Sequence, residues 1–272
     1  MSKASQVHYD GDSHTFVICA YQESPYLEEC IRSLLDQTVP TQILMATSTA
    51  NRHIVSLAGK YGIPLYVNQL KTGLAGDWNF ALFLGGTPLV TLAHQDDRYD
   101  PEYVRLILEN LNTCRHPLIA FTDYNELRDG KTVTDNSLLR IKRKMLSPLC
   151  RRSLWRSRFV RRRILSAGNA ICCPAVTLVR ENLPDFSFRD NMKSNIDWQA
   201  WEEISRKRGE FVYIPVAAME HRIHEESTTS GLLEEHARRA EDIYMFRKFW
   251  PAPLAHLIEL FYQKSEKSNK LD

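Results

Sequence analysis

The chain predicts an α/β protein built on a doubly wound, mainly parallel sheet, with helices at its C-terminal end. Three observations carry this. Short apolar runs alternate with amphipathic helical patterns over the first 122 residues, as crossover-connected parallel strands require. The runs are continuous rather than alternating polar and apolar, as in strands buried on both faces. At 272 residues, 43% hydrophobic and 10% aromatic, the chain has enough length and apolar surface for one large domain or two small ones.

The elements follow in order. Residues 15–20 (TFVICA) form an apolar run that predicts the first strand. Ser24-Pro25 then opens a helical pattern through Leu27, Ile31, Leu34 and Leu35, with Glu28 and Glu29 early in it, where the helix dipole favours acids. Residues 43–46 predict a second strand, and 52–61 a helix that stops at Gly62. A third strand at 64–67 precedes a helix over 75–84, punctuated by Gly85-Gly86. Residues 88–93 predict a fourth strand, 101–111 a helix and 118–122 a fifth strand. Beyond this point the pattern changes. A basic segment leads to an apolar run at 170–179, a helix at 197–207, a strand at 211–218, and two helical patterns split at Pro251 and Pro253.

Charge is distributed unevenly. Eleven of the 35 Lys and Arg residues fall between Arg140 and Arg163 with no acid among them, leaving 24 bases against 33 acids elsewhere. This is an acidic protein with one basic segment. Leu146, Leu149, Leu154, Trp155, Phe159 and Val160 are interleaved with the arginines. The segment reads either as a solvated loop or as an amphipathic contact with an anionic membrane surface or a phosphate-bearing acceptor. No nucleic-acid-binding motif accompanies it. The six cysteines show no CxxC spacing, so neither zinc nor a disulfide scaffold is expected, and a reducing cytoplasm is the simplest setting. The N-terminus lacks the apolar core of a signal peptide. The longest uncharged run, 80–95, is too short to span a bilayer and is broken by Gly85-Gly86-Thr87-Pro88. Neither GxGxxG nor GxxxxGK[ST] occurs, which argues against a dinucleotide oxidoreductase and a P-loop enzyme.

Ligands of such sheets bind beyond the carboxyl ends of the strands. Two of those ends are chemically loaded: Tyr21-Gln22-Glu23 after the first strand, and His94-Gln95-Asp96-Asp97 after the fourth. Adjacent carboxylates repel and raise one another's pKa. They persist where solvated, where one caps the helix that Pro101 begins, or where a cation sits on them.

The ordered combination resembles family 2 glycosyltransferases. FVICAYQESPYLEECIRSLLDQT is similar to the family's opening strand, turn and acidic helix. GLAGDWNFAL matches its glycine-led helix, with Gly73 and Asn79. TLAHQDD falls where the family has its DxD motif, NIDWQAW where it carries the catalytic acid residue, and HRIHEESTT where its closing segment lies. The resemblance implies a GT-A fold over 14–230, with a nucleotide-binding half (14–122), an acceptor-side half (123–230, including the basic segment 140–163) and a helical extension (231–272). It implies an inverting, metal-dependent transfer from a nucleoside diphosphate sugar, UDP-linked by expectation, to a glycan or lipid-linked acceptor, in the cytoplasm or on the inner membrane face.

By the same resemblance Ala20, Tyr21, Glu23, Ser48, Asp77 and Asp96 contact the nucleotide. Asp96 and Asp97 hold Mn²⁺ or Mg²⁺, hard cations that take one or two carboxylates plus phosphate oxygens. His94, at the first DxD position, is a manganese ligand or a structural hydrogen-bonder. Asp197 is the base that accepts the acceptor's proton, although its position also suits a helix N-cap. Arg222 and His224 meet the diphosphate. The chain departs from the family at Thr47-Ser48-Thr49, where an Asp usually contacts the nucleotide base, and at Gln22, where the family has Asn. Two other classes stay open: a sugar-phosphate nucleotidyltransferase, disfavoured because AYQESPYL has no glycine or basic residue, and a non-catalytic domain binding nucleotide or membrane.

Overall fold

The computed structural model describes residues 8–70, 73–223 and 232–269. In chain order its elements are β1 (His14–Ala20), α1 (Leu27–Leu35), β2 (Gln42–Thr47), α2 (Arg52–Tyr61), β3 (Leu65–Val67), α3 (Gly73–Leu84), β4 (Leu89–His94) and β5 (Arg98–Tyr99). There follow α4 (Tyr103–Leu111), β6 (Pro117–Arg128), β7 (Lys131–Val133), α5 (Ser137–Leu146), α6 (Arg158–Arg163), β8 (Val176–Val179), α7 (Ile196–Ser205), β9 (Glu210–Ile223), α8 (Leu232–Arg247) and α9 (Ala252–Asn269).

One sheet holds the described strands in the order β3-β2-β1-β4-β8-β6-β9-β5, with β7 paired to β6. β3, β2, β1 and β4 run parallel, so β1 is sandwiched between β2 and β4 and buried along nearly its whole length. The register sets Ala20 opposite Thr47 and Cys19 opposite His94, which brings the carboxyl ends of β1, β2 and β4 to one edge. β8 then enters antiparallel between β4 and β6. β6 and β9 pair in parallel and extend beyond the predicted runs, to 12 and 14 residues.

Local chemistry explains the helix limits. Asn51 caps α2 by accepting from the Ile54 N–H (2.9 Å), and Gly62 ends it in the left-handed region at φ 63°, where a β-carbon would be strained. α7 brings Trp198 and Trp201 into the core; the Trp198 indole donates to the Leu165 carbonyl (3.0 Å) and packs edge-on to Phe246 of α8. The C-terminal helices thus dock on the element that carries Asp197.

The basic segment is built into the molecule rather than being a solvated loop. It forms α5 and α6, and Leu146, Leu149 and Trp155 point into the core. Arg143 pairs with Asp123 (2.6 Å). Arg161 is fully buried, donates to the Lys207 carbonyl and lies over Phe211. Arg162 reaches Glu202 on α7 (2.5 Å) and lies over Phe249. Half of the apolar residues that suggested a lipid-facing stripe are therefore core, and Phe159 alone of the six stands fully outward. No helix among the described residues is long and apolar enough to cross a membrane.

His14 shows how burial sets charge in this core. Its ring bridges the Thr41 and Thr91 hydroxyls at 2.9 Å each, and burial pushes its pKa down to about 3. The unfolded chain binds a proton near pH 6.5, whereas the native ring stays neutral to about pH 3. The unfolded state therefore holds the extra proton between these values, and stability falls as pH drops through that window, by up to about 1.4 kcal/mol per pH unit. Urea unfolding from pH 7 to 4 should show this slope, and His14→Gln should flatten it.

Candidate active site

The site is assembled at the carboxyl edge of β1, β2 and β4. After β1 the backbone turns sharply: Gln22 sits in the left-handed region at φ 54°, and its N–H donates to Thr49 Oγ1 (2.5 Å). Such a conformation costs a non-glycine residue energy and persists only where neighbours fix it. Gln95 supplies a second clamp. Its side-chain carbonyl accepts from the Tyr21 N–H (3.0 Å) and its amide donates to the Tyr21 carbonyl (2.8 Å). The loops after β1 and β4 are thereby locked together. Ala20 is buried, while the Tyr21 ring is 52% exposed at the rim and Glu23 is exposed beside it.

After β2, Ser48 donates to Asp77 Oδ2 (2.6 Å), and Asn68 donates to the other oxygen, Oδ1 (3.0 Å). The structure thus brings the two sequence-predicted residues Ser48 and Asp77 into direct contact, with Asn68 as an unforeseen third member. Asn79, one helical turn-half further along α3, clasps the Phe188 main chain through both its N–H and carbonyl groups. Its task is to pin α3 to the segment preceding α7.

The two adjacent aspartates after β4 point in different directions. Asp96 is half-buried and accepts from the Ser24 hydroxyl (2.6 Å). Asp97 is 1% exposed; its Oδ1 accepts from the His221 ring and from the Arg222 N–H, each at 2.9 Å. Burial alone would raise the Asp97 carboxyl, but the His221 charge and hydrogen bond outweigh it and hold the pKa below the ordinary value. Among the described residues, Asp97 Oδ2 is buried with no hydrogen-bond partner. His94 stacks on Trp78 with ring centroids 5.4 Å apart; burial lowers its pKa, and its Nε2 is likewise unpartnered.

Arg222 was expected to offer its guanidinium to a diphosphate. The side chain is 8% exposed and committed inside the protein: it pairs with Glu29, donates from Nε to the Asp96 carbonyl (2.8 Å) and lies 4.0 Å over the Tyr26 ring. Its fork is spent on holding the aspartate turn against α1. His224, the other expected cation, lies outside the described residues. His221, which sequence reasoning passed over, is the residue that meets Asp97; its place next to Arg222 in HRIH was the available signal.

Asp197 lies in the first turn of α7, half-buried. Oδ2 accepts from the Asn169 amide (2.6 Å) and Oδ1 from the Trp198 N–H (2.8 Å). Burial raises its pKa, while those two hydrogen bonds and the Lys142 charge oppose the rise. Cys172 and Cys173 are raised chiefly by burial and also by the negative charges of Asp97 and Asp197.

Among the described residues no group of three or more His, Cys, Asp and Glu is arranged to hold a metal ion. Asp96 and Asp97 Oδ2 are the carboxylate oxygens of this turn that a cation could use. That set fits a hard cation shared with phosphate oxygens rather than one caged by protein alone.

The comparisons with known proteins agree with this architecture. Residues 15–183 match the model of glycosyl transferase family 2. No curated protein matches the chain. Among solved structures, S. aureus TarS 1-349 in complex with UDP-GlcNAc is 15% identical, with a TM-score of 0.59, over 91% of this chain and 70% of that one. The mannosyltransferase PcManGT from Pyrobaculum calidifontis, in complex with GDP-Man and Mn²⁺, is 13% identical, with a TM-score of 0.61, over 92% of this chain and 68% of that one. The family match covers more than half of the chain, and the sheet and its C-terminal helices are those of the GT-A fold, so the chain belongs to glycosyl transferase family 2 and is a glycosyltransferase.

Proposed function

We propose that this chain transfers a sugar, with inversion, from a nucleoside diphosphate sugar to a hydroxyl of a glycan or lipid-linked acceptor. The observation that carries the reading is the meeting of Tyr21, Ser48 and the Asp96-Asp97 turn at the carboxyl edge of β1, β2 and β4, with Asp197 of α7 read as the base that works against them. A base and a leaving-group site on opposite sides of the sugar are what a single displacement needs. The acceptor oxygen bonds to the anomeric carbon as the bond to the diphosphate oxygen breaks. The diphosphate leaves with the electron pair, and the acceptor's proton passes to Asp197. Asn169 and the Trp198 N–H hold the Asp197 carboxylate in place for this.

Asp96, with Asp97 behind it, would hold a divalent cation, and His94-Gln95-Asp96-Asp97 is read as a variant of the DxD motif. When bound, that cation offsets the charge developing on the leaving diphosphate. Tyr21, Ala20 and Glu23 at the end of β1, with the Ser48–Asp77 pair, form the nucleotide side. A uracil nucleotide is the first choice, because Ser48 and Asp77 offer hydrogen-bonding oxygens of the kind a base edge and ribose require. The solved neighbours crystallised with UDP-GlcNAc and with GDP-Man and Mn²⁺ support a nucleotide-sugar donor. Lys144, Arg151, Arg158 and Phe159 are among the outward residues of the basic segment and would be available to an anionic membrane surface.

Thermal unfolding with a panel of nucleoside diphosphates, with and without Mn²⁺, tests this reading. A ligand at 100 times its Kd stabilises by about 2.7 kcal/mol. UDP with Mn²⁺ should raise the melting temperature of the wild type, and Asp96→Ala should abolish the Mn²⁺-dependent part. A shift with another nucleotide changes the donor. No shift with any nucleotide overturns the reading.

A further inference from the structure

β9 joins two edges of the sheet. Its carboxyl end carries His221 and Arg222, which hold Asp97, and its amino end begins at Glu210, opposite Pro117 of β6. β6 and β9 are parallel, β6 is antiparallel to β8, and β8 is antiparallel to β4. β6 and β9 therefore run in the direction of β4, and Glu210 lies at the edge opposite the aspartate turn. There Glu210, 7% exposed, ties three segments together. Its Oε2 accepts from the Arg115 and His116 N–H groups at 3.0 Å each, and its Oε1 faces Arg156 at 3.7 Å. The Arg161 guanidinium ties α6 to the Lys207 carbonyl (2.8 Å), and the Phe211 N–H donates to the Trp155 carbonyl (3.1 Å).

These ties leave a basic face outside. Residues 115–116, 151–159 and 206–208 hold one, four and three Lys and Arg residues, every one exposed, and no acid. Arg206 is paired with Glu202 (2.7 Å), and Arg152 lies over Trp155. Arg115, Arg151, Arg158, Lys207 and Arg208 make no ion pair among the described residues. Acids at the border are already taken, Glu109 by Arg105 (2.6 Å) and Glu203 by Arg189 (2.7 Å). Phe159, next to Arg158 on α6, is 77% exposed. A face of unneutralised cations requires an anionic partner. A large apolar side chain outward among them requires an apolar layer beneath that charge, which is the layering of an anionic lipid surface. Proteins that bind single-stranded nucleic acid stack successive bases on several aromatics. Phe159 is the only exposed Phe, Tyr or Trp of these three segments.

We propose that this three-segment face docks the protein on a bilayer rich in anionic lipid, with Phe159 entering the headgroup layer and the aspartate turn held away from the membrane. The inference deepens the acceptor reading above, and its orientation rests on the site assigned there. At about 3.3 Å per residue, the stretch of β9 from Glu210 to His221 sets the aspartate turn up to roughly 30 Å from the basic face. Docked in this way, the active edge faces the aqueous side. The hydroxyl that receives the sugar then belongs to the outer part of a membrane-anchored glycan, not to the sugar beside the lipid.

Sedimentation with vesicles tests the docking without donor or metal. Wild type should bind vesicles of phosphatidylcholine with phosphatidylglycerol, more weakly as salt rises, and should not bind vesicles of phosphatidylcholine alone. The triple variant Arg158→Gln/Lys207→Gln/Arg208→Gln should keep the native melting temperature, because these side chains make no ion pair. It should bind on the order of 10²-fold more weakly, at about fivefold per charge. Removing the same charge from exposed positions elsewhere, by Arg52→Gln/Lys131→Gln/Lys193→Gln, should weaken binding far less. Phe159→Ser should weaken it at low and high salt alike, since an apolar contact is not screened. Absence of wild-type binding to the anionic vesicles, equal binding to both vesicle types, or equal losses in the two triple variants overturns the inference. Tight binding of a single-stranded RNA, lost in the first triple variant, with vesicle binding untouched by Phe159→Ser, assigns the face to nucleic acid and overturns it too. The thermal shift with UDP and Mn²⁺ is read on the same proteins and should survive in the first triple variant. Vesicle binding without any nucleotide shift defeats the proposed function and leaves the docking face standing.

Discussion

Asp197→Asn should fold as the parent does and lose sugar transfer by roughly 10²–10⁴-fold in kcat, the usual contribution of a positioned general base. Asparagine keeps the shape of the side chain and can still accept from the Trp198 N–H. What it gives up is the ability to take a proton. The opposing amide of Asn169 would then face a second amide, and rotation of either side chain restores a donor–acceptor pair at small cost. Stability should change by less than about 1 kcal/mol, because the substitution also relieves the burial of a charge. Nucleoside diphosphate release and melting temperature, measured together, check both halves of the statement. Undiminished release would remove Asp197 from the mechanism.

The second large effect falls on stability. Asp97→Ala should cost about 3 kcal/mol, at the low end of the ~3–5 kcal/mol for breaking a buried ion pair. The low end applies because the His221 side chain is 35% exposed and recovers some hydration. Two groups are orphaned together: the His221 ring and the Arg222 N–H, both of which Asp97 Oδ1 accepts from. Arg222 would be loosened in turn, since it ties the Asp96 carbonyl to Glu29 on α1. Asp97→Asn keeps an acceptor for the Arg222 N–H and should cost about half as much. Urea unfolding of the two variants distinguishes these expectations. Equal stability of wild type and Asp97→Ala would mean that the His221–Asp97 pair contributes nothing net to the fold.

Much of this was legible in the residues. The β–α alternation of the first 122 residues held apart from the two-residue β5, and α2 ends at Gly62 as expected. Capping and strand periodicity depend on neighbours in sequence, and such signals survive without a structure. What failed to show was set by distant partners. β8 is four buried residues whose pattern does not reveal that they insert antiparallel between β4 and β6. β5 is two residues long and exists because β9 passes beside it. The basic segment read as a solvated loop or an anionic-surface contact because Glu202, Asp123 and the Lys207 carbonyl, which consume its charges, lie 20 to 46 positions away. For the site, the strand-end positions of Tyr21, Ser48, Asp96 and Asp97, and the place of Asp77 on the helix after β3, came from sequence. That Asp97 turns inward to meet β9, and that Glu29 and Tyr26 occupy Arg222, depends on side chains about 125 to 196 positions apart in sequence.

The thiols have a consequence for handling the protein. Cys150 is exposed, whereas Cys30, Cys114 and Cys173 are buried and Cys19 and Cys172 are half-buried. Burial pushes Cys114 up to about 11 and Cys19 up to about 12, and raises Cys30, Cys172 and Cys173 as well. Only the thiolate attacks an alkylating reagent, so these five sulfurs are silent in the native state at neutral pH. The folded molecule therefore offers one addressable sulfur, on the basic segment, where a fluorophore or surface tether can be attached without disturbing the residues between Asp97 and Asp197.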